Sequence, residues 1–200
     1  MSDFVYLASQ SPRRRQLLEQ LGVRYELLLP DADEDAEALE AVLENEAPAS
    51  YVRRVTALKL DAAVTRLKRR KLPDASVLCS DTTVAMGRII YGKPENAKDA
   101  VRMLTELSGK THRVLTAIAV QSVRKRSDAL STSRVRFDAM TAAQIQSYVA
   151  TGEPMGKAGA YAIQGKVAQH IGHISGSYSG IMGLPLRETA LLLGSFGIKI

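Results

Sequence analysis

Two apolar periods alternate along this chain, and their order predicts strands interleaved with helices. The run "FVYLA" at 4–8 predicts a short strand. Leu17, Leu18 and Leu21 then recur at helical spacing, with Ser11 placed to cap the helix, Pro12 to open it and Gly22 to end it. A second helix is predicted over 48–70, where Tyr51, Val55, Leu58 and Ala62 keep one face. "ASVLCSDTTVAM" predicts a strand ending near Asp81, followed by a turn at Gly87 and a return along "RIIYG". Asn96 opens a third helix that closes at Gly109, with Val101, Leu104 and Leu107 inward. "THRVLTAIAVQSV" and "ALSTSRVRFDAM" predict two longer strands joined through "RKRSD". Thr141 caps a helix that runs to 150, a glycine-rich stretch follows, and Pro185 opens a last helix through Leu186, Leu191, Leu192 and Leu193. Helices and strands intermingle without strict βαβ alternation. That predicts an α/β fold on a mixed sheet, not a doubly wound parallel one.

At 200 residues the expectation is a single domain, 1–200, or two small lobes sharing one core. No apolar run is long enough to span a membrane, and "MSDFVYLASQ" lacks a secretory signal pattern. One cysteine, Cys79, rules out an internal disulfide and fits a reducing cytoplasm. The formal charge of +6 favours anionic partners. Three Phe, seven Tyr and no Trp leave few base-stacking platforms, so nucleic acid is a poor fit.

The first helix poses an electrostatic puzzle. Arg13, Arg14 and Arg15 fall in its first turn, where the helix dipole is already positive. A phosphate lying between the guanidiniums and the free N–H groups resolves it. Arginines turned into water resolve it less usefully, and this stretch alone leaves both open. If phosphate is the missing partner, removing Arg13 or Arg14 should leave the unliganded helix intact or slightly steadier.

Asp81 can hold a divalent metal or take a proton from water, or simply shape a turn. A second carboxylate is available from Asp33, Glu34 or Asp35, in a stretch that composition reads as a solvated acidic loop. Lys59, Lys93 and Lys157 are each ordinary surface lysines by themselves; together they can neutralise a triphosphate. "RLKRRK" over 66–71 reads as a solvated helix end.

Other phosphate and catalytic motifs fail on inspection. Gly156-Lys157 and Gly165-Lys166 are followed by Ala158 and Val167, so neither is a P-loop. "GSYSG" has Tyr178 where a nucleophile elbow needs serine. His170 and His173 stand three apart with no further ligand nearby in sequence, which reads as structural or surface histidine, not a zinc site.

"LASQSPRRRQLLEQLG", "SDTTV", "GKP", "LSGKTHRVLTA", "KAGAYAIQG" and "SGSYSGIMGLPL" together resemble the Maf family of nucleoside triphosphate pyrophosphatases, in that family's order and across nearly the whole chain. The resemblance implies an elongated α/β fold with a twisted, mixed central sheet and two lobes around a cleft, similar to the inosine triphosphate pyrophosphatases. It also implies a homodimer, a divalent cofactor (magnesium or manganese), and release of pyrophosphate and a nucleoside monophosphate. The family is linked to inhibition of septum formation. Ser11-Pro12-Arg13-Arg14, Asp81-Thr82 and Ile163-Gln164-Gly165 match the branch that acts on dTTP and UTP; the 7-methyl-GTP branch has Trp, Gln and Glu at the places of Arg13, Thr82 and Gln164. Arg15 and the longer acidic loop depart from the family pattern.

On that resemblance, Ser9, Arg13, Arg14 and Lys157 bind the phosphates, while Lys59 and Lys93 add charge near the scissile link. Thr82 and Gln164 set base preference. Glu34, the best match in the acidic loop, and Asp81 hold the metal. Asp81 accepts the proton of a water that attacks the α-phosphorus. A Gln amide can both donate to O4 and accept from N3–H of a pyrimidine. Two other classes stay open: a pyrophosphatase for modified purine nucleotides, and a non-catalytic nucleic-acid-binding or division-regulating protein.

Overall fold

The computed structural model describes residues 3–32, 34 and 38–200; Asp33 and Asp35, offered above as carboxylate donors, lie outside them. Among these residues seven strands join one mixed sheet. β1 (Val5–Leu7) lies parallel between β2 (Tyr25–Leu27) and β3 (Ser76–Met86). β4 (Ile89–Tyr91) folds back on β3 through the turn at Gly87. β5 (Thr111–Gln121), β6 (Arg126–Phe137) and β7 (Ile171–Ser175) continue the sheet antiparallel on the far side of β3.

Alternation along β3 decides which core each residue joins. Val77, Cys79 and Ala85 face α2 (Pro48–Arg69), meeting Leu60, Ala63 and Leu67 at one end and Tyr51, Val52 and Val55 at the other. Leu78 faces the opposite way, toward α1 (Pro12–Gln20) and α6 (Leu186–Gly194), with Leu17, Leu18, Leu192 and Leu193. Val84 joins a third cluster with α3 (Ala97–Leu107) and α4 (Ala142–Ala150). Thr141 and Gln144 close α4 with a reciprocal capping box, and Asn96 caps α3.

The structure departs from the sequence-based expectations at several places. β3 does not end at Asp81 but runs on to Met86, because the β-branched Thr82, Thr83 and Val84 continue the pleat and the register with β5. Leu58 (37% exposed) and Leu191 (62%) lie off the buried helix faces. The glycine-rich stretch contains β7 and α5 (Tyr178–Met182); Ser177, within "GSYSG", caps α5 through Gly180 N at 2.9 Å. "RLKRRK" is not wholly solvated: Arg66 is 4% exposed, and its Nη1 donates to Leu28 O at 2.9 Å.

The sheet has one break in its pairing, along β3. β1 pairs with β3 only as far as Leu7 opposite Leu78, and β4 begins pairing at Val84 opposite Tyr91. Residues 79–83 of β3 therefore keep β5 on one edge and, among the described residues, no strand on the other.

Candidate active site

A cavity of about 690 Å³ opens at this break in the sheet, within the size range of nucleotide and cofactor sites. The chain leaving β1 brings Ser9, Arg13 and Arg14, and the chain leaving β4 brings Lys93. α2 contributes Lys59, and the glycine-rich stretch contributes Lys157. Because the edge is open, side chains from both faces of β3 line the same space: Asp81 on the α2 side and Thr82 on the other.

The arginine puzzle has a partial answer in the protein itself. Ser11 takes the N-cap backbone position without a side-chain capping bond, and its N–H donates instead to Ser9 Oγ at 3.2 Å. Arg13 Nε donates to Met182 O at 3.3 Å, and Arg14 Nε to Gly183 O at 2.9 Å. Those carbonyls end α5, so the negative end of one helix meets the cations at the positive end of another. Gly183 has φ of +120°, a backbone geometry that L side chains rarely adopt, and its carbonyl also accepts from Ser80 Oγ at 2.8 Å. Arg14 reaches further, to Ser9 Oγ (3.2 Å) and Thr82 Oγ1 (3.5 Å). Burial lowers the pKa of both arginines, and Asp81 partly restores that of Arg14. The expectation of an undisturbed unliganded protein therefore needs correcting for Arg14, which ties three segments together.

Asp81 is 7% exposed, and its Oδ1 accepts from Lys59 Nζ at 2.6 Å. The same ammonium donates to Glu40 Oε1 at 2.7 Å, and Lys93 Nζ reaches Glu40 at 3.1 Å. Glu40 was missed in the sequence. It sits among many acids with no spacing that sets it apart, and only the turn Ala38–Glu40 brings it to the lysines. Tyr51, also in the cavity wall, donates from its hydroxyl to Glu40 O at 2.9 Å. Burial, then Asp81 and Glu40, push that hydroxyl up to about 12.

Glu34 lines the same cavity but is held by arginines. Arg66 Nε lies 3.0 and 3.2 Å from its two oxygens, and Arg69 Nη2 lies 2.6 Å from one. Hydrogen bonding from Arg66 outweighs the opposing effect of burial and holds the carboxyl at about 2, against an ordinary 4.5. A group with a depressed folded pKa stabilises the fold above its ordinary value and loses that contribution as pH falls toward the folded value. Glu34→Gln should therefore cost about 1–2 kcal/mol at neutral pH, an amount discounted for partial exposure. It should also flatten the acid destabilisation between pH 4.5 and 2. Melting temperatures of metal-free protein across that range test this; wild-type stability in the variant would free Glu34 from a structural role.

Lys157 Nζ donates to Glu153 O at 2.7 Å, and burial followed by repulsion from Arg13 lowers its pKa. Arg13 and Lys157 thus line one cavity with like charge. Gln164 is exposed and is not among the residues that line the cavity, though Tyr161 and Ile163 beside it are. Its loop is braced by Glu153, which accepts from Tyr148 Oη at 2.9 Å and from Lys166 N at 3.2 Å. His170 and His173 belong to the far edge of the sheet, outside the cavity.

For a divalent cation the fit is partial but workable. Asp81 presents a carboxylate that accepts from Lys59 through Oδ1, and magnesium commonly needs one or two carboxylates plus phosphate oxygens.

Residues 4–196 match the family model described as Maf-like protein. A curated relative from Albidiferax ferrireducens, named dTTP/UTP pyrophosphatase, is 72% identical over 200 residues, covering all of both chains. Relatives with the same name from a Polaromonas species (71%, all of this chain and 98% of that one) and Cupriavidus pinatubonensis (64%, 96% of each) also align nearly end to end. Among solved structures, the Staphylococcus aureus Ham1 protein aligns over 66% of this chain and 71% of its own, with a TM-score of 0.40 and 12% identity.

Proposed function

Because this chain belongs to the Maf-like protein family, we propose that it is a nucleoside triphosphate pyrophosphatase acting on dTTP and UTP. The observation that carries this reading is the convergence of Arg13, Arg14, Lys59, Lys93 and Lys157 on one cavity that also holds Asp81. Five cations suit a triphosphate, and a carboxylate among them suits proton removal from a water.

On this reading the phosphates lie against α1's N-terminus. Arg13 and Lys157 hold them, and Arg14 and Ser9 fix the approach. Asp81 takes the proton of a water that attacks the α-phosphorus. The bond from that phosphorus to its bridging oxygen breaks, and pyrophosphate leaves with its charge met by Lys59 and Lys93. A divalent cation, magnesium or manganese, held by Asp81 with phosphate oxygens, would supply Lewis-acid stabilisation of the same charge. Glu34 can join it only by releasing Arg66. Residues 1–200 act as one catalytic domain, and a dimer and a cytoplasmic setting belong to the same proposal. The supports are the family resemblance and, for the compartment, the lone buried thiol of Cys79.

The test is a panel of canonical and modified triphosphates, with magnesium or manganese, assayed for pyrophosphate. Release from dTTP and UTP above all others is expected. Preference for a modified purine would replace the substrate assignment. Strong salt-dependent nucleic-acid binding with no pyrophosphate release would replace the enzyme.

Base reading is assigned to Thr82 and Gln164, the first in the cavity wall and the second on the loop that Tyr161 and Ile163 anchor there. Gln164→Glu removes a donor and leaves a repulsive oxygen. It should cost roughly ten- to a hundredfold in kcat/KM on UTP and dTTP, with less effect on GTP and 7-methyl-GTP. Equal losses on every base would remove Gln164 from recognition.

A further inference from the structure

We propose that Glu153 is a positioning residue for base selection, its carboxylate fixing the loop that carries Gln164 while its carbonyl holds the phosphate-site lysine Lys157. The inference rests on the pyrophosphatase reading and on Gln164 as the residue that reads the base; it adds the group on which the placement of Gln164 depends. Glu153 follows α4 and is not among the residues that line the cavity. Its Oε1 accepts from Tyr148 Oη at 2.9 Å, and Lys166 N donates to both carboxylate oxygens at 3.2 Å. Its main-chain carbonyl accepts from Lys157 Nζ at 2.7 Å.

Gly165 shows how closely the loop is drawn onto this carboxylate. Its φ of −94° is open to any residue, so backbone conformation does not demand glycine there. Space does: a Cβ on Gly165 would lie 1.8 Å from Glu153 Oε1. Gln164 is therefore held between a neighbour seated on the carboxylate and Ile163, which is buried in the cavity wall. Tyr148 steadies the start of the loop, since its Oη accepts from Ala162 N at 3.4 Å while donating to Glu153. Burial and then the bond to Glu153 raise the pKa of that hydroxyl, so it remains a donor. Glu153 is itself set in place: its N–H donates to Thr151 Oγ1 at 3.2 Å, and that hydroxyl donates to Tyr148 O at 2.7 Å. One residue thus serves both halves of recognition, the base loop through its side chain and the phosphate lysine through its main chain. Because different atoms make the two links, substitution can separate them.

Glu153→Ala removes the carboxylate and keeps the carbonyl. The preference for UTP over GTP, read as a ratio of kcat/KM, should fall about tenfold. Inorganic pyrophosphate should still bind within about twofold of wild type. Glu153→Gln should recover most of the preference, because its oxygen can accept from Lys166 N while its amide donates to Tyr148 Oη. Gly165→Ala drives a methyl group into the carboxylate and should lower the preference in the same direction. In a Gln164→Ala background, Glu153→Ala should change the ratio by less than about twofold, since its effect passes through Gln164. Kinetics on UTP and GTP, with calorimetric titration of the folded variants by pyrophosphate, read all of these. A preference retained by Glu153→Ala overturns the inference, as do equal losses on both nucleotides with weakened pyrophosphate binding, the mark of a site that has merely collapsed. Should Glu153→Ala fail to fold, an intact preference in Gly165→Ala overturns it instead. Wild-type protein that hydrolyses both nucleotides equally overturns the assignment of Gln164, and one that releases pyrophosphate from neither overturns the enzyme reading; this inference falls with either.

Discussion

Asp81→Asn should lower turnover of UTP and dTTP by about two to four orders of magnitude, the scale of losing a positioned base or a metal–water contact. The substitution keeps the shape of a side chain in the middle of β3, so the ladder with β5 survives. Lys59 loses one charged partner but keeps Glu40 at 2.7 Å, which limits the effect on stability to about 1 kcal/mol. The loss should be uniform across substrates, because the attacked phosphorus is common to all of them, and it should fall on kcat more than on KM. Steady-state kinetics on five nucleotides, with circular dichroism to verify the fold, decide the matter. Near-normal turnover in a folded variant would assign the proton to another group.

Arg14→Ala has the second-largest expected effect, and it acts on two quantities at once. Removing the guanidinium takes a cation from the phosphate site, worth about 10²–10³ in kcat/KM. It also removes the donor to Gly183 O and the link from Ser9 to Thr82, at about 1–2 kcal/mol of stability. Ser80 Oγ continues to serve the Gly183 carbonyl, which keeps that cost from growing. Arg13→Ala provides the contrast. Its Nε donates to Met182 O at 3.3 Å, a long contact, and relief of repulsion at the helix start offsets its loss. Its melting temperature should stay close to wild type while its KM for UTP rises. Equal melting temperatures for the two variants would mean that Arg14 is no tie at all.

Local features were legible in the sequence because their causes are local. Pro12, Gly22 and three leucines suffice to read α1, and Asn96 and Thr141 announce their helices through caps that the structure contains. The end of β3 was misread for a physical reason. A carboxylate in a strand looks like a terminus, since a buried charge is costly. Here the charge faces a cavity and a lysine, so the strand carries it onward. Arg66 was misread in the opposite sense. Its position at a helix end suggests water, yet the fold lays the segment after β2 over it and supplies Leu28 O and Glu34. Glu40 was not picked out from its acidic neighbours in the sequence; its meaning comes from Lys59 and Lys93, brought to it by two different elements. Gln164, singled out in the sequence, is exposed on its loop, so its part in recognition depends on the nucleotide reaching it.

The break in the sheet beside β3 has a consequence for how the protein behaves among other chains. Ala8 N donates to Leu78 O, so the main-chain groups of Leu78 face β1. Alternation then turns those of Ser80 and Thr82 toward the opening. An unpaired edge of this kind invites a foreign strand and, with it, aggregation. This one is recessed: β1 occupies the same edge on one side and β4 on the other, leaving only residues 79–83 between them. A visiting strand would have to enter a slot bounded by β1 and β4 at its two ends and lined with cations. A small anionic molecule enters without that difficulty. The opening that gives a ligand access to both faces of the sheet thus offers a foreign strand little to pair with at this one edge.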